Sequence, residues 1–67
     1  IFFYYFSQLG VSQNIGSTSK TAYLMNIEWM SETEFVAVWT NSNQSESVFD
    51  RCFIGQDGCE QIIKGRV

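Results

Sequence analysis

Cys52 and Cys59 enclose a short stretch that contains Gly55, Asp57 and Gly58. A hairpin over it would bring the pair within the ~5.5–6 Å Cα separation that a disulfide needs. Loop entropy makes such a ring worth about 2–3 kcal/mol. Two unconnected, reduced core cysteines are the alternative. Zinc takes four ligands, and two Cys without any His fall short of that, so neither a metal nor another cofactor is expected. Asn43-Gln44-Ser45 meets the acceptor rule for N-glycosylation and sits among turn residues, where a glycan would be accessible; a plain turn is the alternative.

Catalytic groups are scarce. The chain has no His, so neither a Ser-His-Asp nor a Cys-His arrangement can be assembled from it. It has no Gly-x-Ser-x-Gly elbow. Gly16-Ser17-Thr18-Ser19-Lys20 lacks the Gly-x-x-x-x-Gly-Lys-Ser/Thr spacing of a phosphate loop and reads as a solvated loop. Glu28, Glu32 and Glu34 are three carboxylates, but Glu32 and Glu34 fall at a hairpin tip, where charges are ordinarily solvated. Trp29 and Trp39 have rings that could stack on a ligand, yet each ends a strand on its apolar face, which favours core packing.

These residues need a scaffold, and 67 residues make at most one small domain of marginal stability. Hydrophobic residues are 45% and charged residues 16%, outside the compositional range of disordered chains. Aromatics at 16% with no Pro favour pleated strands. Net charge is −3, and the four basic residues, Lys20, Arg51, Lys64 and Arg66, are dispersed, which argues against nucleic-acid binding. The apolar run Ile1–Phe6 is too short to cross a bilayer as a helix. No signal peptide is visible, and the true N-terminus is expected elsewhere.

Ile1–Phe6 lacks alternation and reads either as a strand buried on both faces or as the tail of an apolar segment. Ser7–Thr21 turns small and polar, the expected linker and boundary, so residues 1–20 are left unassigned and 21–67 form the organised unit. There, Tyr23, Met25, Ile27 and Trp29 fall at two-residue spacing, with Asn26 and Glu28 opposite. Phe35–Thr40 pairs with that strand across the polar connection Ser31–Glu34. The Asn41–Ser45 turn, a third strand over Ser47–Cys52, an Asp57-Gly58 turn and a fourth strand over Cys59–Lys64 complete the pattern. The expected fold is all-β: an antiparallel four-stranded meander with Tyr23, Ile27, Trp29, Phe35, Trp39 and Val48 in its core. Its length matches one blade, or part of two, of a β-propeller. A free-standing β-domain fits the periodicity equally well.

The run Tyr23-Leu24, Trp29, Trp39, Gln44, Ser47-Val48, Asp50 and Cys52 resembles the propeller of the dipeptidyl peptidase IV family, without gaps from Tyr23 to Cys52. The short ring from Cys52 to Cys59 is most similar to the catalytically inactive members. Thr40, Ser42 and Ser45 depart from the family pattern, and the sequon is displaced to Asn43. Residues 1–20 show no match, and Glu60–Val67 match weakly. The resemblance implies that Cys52 and Cys59 form a hairpin disulfide. It also implies a parent that is a secreted dimer or the ectodomain of a single-pass type II membrane protein. In such a parent, the propeller gates an α/β-hydrolase that removes dipeptides after Pro or Ala. The partners would be the remaining blades and that hydrolase domain. No catalytic residue of the family maps onto this chain. The expected function is a non-catalytic structural blade; the rival is a secreted protein-binding module in which Ile1–Phe6 supplies the missing core and exposed edges recruit a partner.

Overall fold

A computed structural model describes residues 2–16, 23–41, 43 and 45–66, the last four of these by backbone alone. Among the described residues six strands follow one another: β1 (Phe3–Phe6), β2 (Val11–Asn14), β3 (Tyr23–Trp29), β4 (Glu34–Thr40), β5 (Glu46–Phe53) and β6 (Glu60–Arg66). β3-β4-β5-β6 form an antiparallel meander in sequence order, and β1-β2 form a separate antiparallel pair. The all-β class and the four-stranded meander are thus as the alternation predicts.

The Ser7–Thr21 stretch is not a continuous loop. Val11–Asn14 is a strand that pairs with β1, with Phe6 opposite Val11 and Phe3 opposite Asn14. The connection closes because the Leu9 and Gly10 amides both donate to the Phe6 carbonyl, at 3.0 and 2.8 Å. Gly10 has φ +69°, a conformation that side chains disfavour. β1 is covered on one face only: Phe6 is buried and Tyr4 partly so, whereas Phe3 and Tyr5 are 65% and 62% exposed. Residues 17–21 of the expected linker, including most of the rejected phosphate loop, lie outside the described residues.

β4 is the centre of the core. Its odd-numbered residues Phe35, Ala37 and Trp39 point to one side, and the register places them opposite Cys52, Asp50 and Val48 of β5. All six are buried. The β1-β2 pair lies over this face, packing Phe6 and Ile15 against it. Phe6 touches Phe35 and Trp29 edge-on at centroid distances of 5.1 and 5.5 Å, and Phe2 meets Trp39 at 5.4 Å. Burying one such ring contributes about 1.5–3 kcal/mol.

β3 departs from its alternation. A bulge lies between Leu24 and Asn26, with Met25 as the extra residue, so Leu24 faces Trp39 while Ile27 faces Ala37. The inward set is therefore Leu24, Ile27 and Trp29, not Tyr23, Met25, Ile27 and Trp29. Tyr23, expected in the core, is 55% exposed because the bulge turns it to the other face, and Met25 is exposed with it. A second bulge, between Phe49 and Asp50 in the β5-β6 pairing, makes Ile62 the extra residue of β6.

Candidate functional site

Chemistry-bearing residues converge at the β5-β6 connection. Cys52 and Cys59 are joined by a disulfide, with Cα atoms 4.7 Å apart. Cys52 is wholly buried in the core and Cys59 packs at its margin. Within the ring, the Gln56 amide donates to the Phe53 carbonyl at 3.2 Å, and Gly55 has φ +87°. That is the third position of a turn, where a type II geometry needs glycine.

The loop so shaped receives β2. Gln13 is only 4% exposed although it is polar. Its Nε2 donates to the carbonyls of Phe53 and Gln56 at 2.8 and 2.9 Å, and its Oε1 accepts from the Gly55 amide at 2.9 Å. One carboxamide thus satisfies three backbone groups of the ring, which is what allows it to be buried. Asn14 adds two more bonds: its amide donates to Asp57 Oδ1 at 3.0 Å, and its carbonyl accepts from the Gly58 amide at 2.6 Å. The sequence reading missed Gln13 and Ile15. Their two-residue spacing with Val11 was the available signal, masked by the small polar residues around them.

The other singled-out residues are dispersed. Phe35, Trp39 and Val48 are core residues and Ile27 is half-buried. Trp29 packs on Phe6 and Phe35 yet is 48% exposed, because it ends an edge strand of the sheet. Beside it opens a groove of 710 Å³ lined by Phe6, Leu9, Glu32 and Ile54, among others. Trp39 Nε1 is buried and finds no hydrogen-bond partner among the described residues. Asn43 is exposed in the β4-β5 connection. Its Oδ1 accepts from the Ser45 hydroxyl at 2.8 Å and from the Ser45 amide at 3.3 Å.

The carboxylates form no common site. Glu28 accepts from Asn26 Nδ2 at 2.7 Å, and Glu32 is exposed. Glu34 is not at the hairpin tip: it opens β4, is partly buried and pairs with Arg51. The Arg51 guanidinium lies 5.1 Å from the Phe53 ring centroid. Among the described residues, no group of three or more His, Cys, Asp and Glu is placed to hold a metal ion. No family model, curated protein or solved structure matches the chain.

Proposed function

We propose that this chain is a non-catalytic structural segment of a β-propeller, belonging to the extracellular side of a serine-type dipeptidyl peptidase or of an inactive homologue. The observation that carries the proposal is the sequential meander β3-β4-β5-β6, closed by the Cys52–Cys59 bridge at the hairpin where the resemblance puts one. A second sheet, β1-β2, lies against the face of the meander, as strands of an adjacent blade would. In this role the segment supplies a packed blade and a covalent clamp, while peptide hydrolysis belongs to the parent's hydrolase domain. The remaining blades are its partners, and the parent is a homodimer. Asn43, exposed in an interstrand connection, is the glycan acceptor.

A second reading has its own support. Because β1-β2 closes one face of the meander within the chain itself, the same residues would also serve as a free-standing secreted binding module. One experiment separates the two: the reduced, deglycosylated mass of the native polypeptide captured with an antibody to Tyr23–Cys52. A mass far above 7.7 kDa supports the propeller segment. A mass at that value overturns it in favour of the module. Loss of a glycan-sized mass increment in Asn43→Gln tests the acceptor site.

A further inference from the structure

The geometry points to the Cys52–Cys59 disulfide as a redox latch that holds the β1-β2 hairpin on the sheet. The inference does not depend on which of the two functions holds. The hairpin is not paired to any strand of the meander. Among the described residues, its directional attachment is to the ring between the cysteines: Gln13 to Phe53, Gln56 and Gly55, and Asn14 to Asp57 and Gly58. Four of these five hydrogen bonds end on Gly55, Gln56, Asp57 and Gly58, whose positions the bridge constrains; the fifth ends on Phe53, which also pairs with Glu34. Ladder pairing of β5 with β6 extends only to Arg51 and Glu60. Cys52 and Phe53 are also held by their pairing with Phe35 and Glu34, and the Ile54 amide donates to the Thr33 carbonyl at 2.8 Å. Without the bridge, it is the stretch from Gly55 to Cys59 that is free to open, with Gly55 and Gly58, both at positive φ, giving it a large unfolded ensemble.

The chemistry is a two-electron exchange with a dithiol reductant. Its thiolate attacks Cys59 Sγ, since Cys59 is partly exposed and Cys52 is fully buried. The S–S bond breaks, Cys52 leaves as a thiolate, and the reductant is held in a mixed disulfide. The second thiol of the reductant then displaces Cys59. The reductant ends as a disulfide, and its two protons end on Cys52 and Cys59. The stretch after Ile54 loses its shape, the four hydrogen bonds to Gly55, Gln56, Asp57 and Gly58 lose their partners, and the hairpin lifts from Phe35, Ala37, Trp39 and Val48. Reduction thereby exposes an apolar face that the oxidised chain keeps covered.

Hydrogen exchange on the chain, with and without a dithiol, tests this, while intact mass confirms the gain of two hydrogens. The expected result is that the protection of the Asn14, Gly55 and Gly58 amides falls about tenfold or more beyond any fall at the β4 amides, which follow the stability of the fold as a whole. Loss of the NMR proximity between Phe6 and Phe35 should accompany it. In the oxidised chain, Gln13→Ala should reproduce part of the release. Two outcomes overturn the latch: the Phe6–Phe35 proximity persists with both thiols free, or β4 loses protection in step with β2, in which case the bridge only holds the fold as a whole.

Discussion

Gln13→Ala isolates the energy of one side chain in the attachment of β2 to the disulfide ring. The substitution removes three hydrogen bonds, two accepted by carbonyls of Phe53 and Gln56 and one donated by the Gly55 amide. At about 1 kcal/mol net for each, the sum is about 3 kcal/mol. Two corrections act in opposite senses. Gly55 and Gln56 are exposed, so water replaces part of what is lost; the Phe53 side of the site is partly buried, and its carbonyl is left with a desolvation penalty. The expected destabilisation is about 2–3 kcal/mol, read as a shift in urea midpoint at unchanged m-value. Gln13→Met, which keeps the buried stem and removes only the amide, should cost about as much, because the hydrogen bonds and not the packing carry the effect. A loss below about 0.5 kcal/mol in both variants would refute the reasoning and reduce Gln13 to a spectator.

Cys52→Ser removes a small covalent ring and should cost roughly 2–3 kcal/mol in unfolding free energy; an unchanged midpoint would remove the bridge from the stability account. Phe6→Ala empties the aromatic contact with Phe35 and Trp29 and should cost about 3–5 kcal/mol by thermal or urea unfolding. Trp39→Phe deletes a buried N–H that has no partner among the described residues, so it should be milder than Trp39→Ala by about 2 kcal/mol or more, measured side by side. The Glu34–Arg51 pair lies at the surface, so Glu34→Gln should change stability by less than about 1 kcal/mol, and 1 M salt should erase most of the difference.

The meander was legible because its signals are local. β-branched and aromatic residues in Phe35–Thr40, together with turn residues on either side, leave few alternatives to a strand. β2 was illegible for the opposite reason. Val11-Ser12-Gln13-Asn14 carries little apolar content, and Gln13 is inside only because a loop 40 residues further along the chain meets its amide. The Met25 bulge was equally hidden. Strict alternation of Tyr23, Met25, Ile27 and Trp29 describes a flat strand, and nothing in those residue types announces that Leu24 takes the inward place. The cysteine spacing made a bridge geometrically simple, and the fold realises it; that the same ring cradles β2 was a property of three dimensions.

The bulge at Met25 also bears on how the chain behaves in company. β3 is an outer strand of its sheet, and a long flat edge of Tyr, Leu, Met, Ile and Trp would be a template for another chain to join. The extra residue breaks the even spacing of backbone donors and acceptors along that edge and twists it. An incoming straight strand could match one half of β3 or the other, not both. Deleting Met25 would restore the even ladder, and with it a surface suited to sheet extension, so this single irregularity acts as a guard against self-templated aggregation.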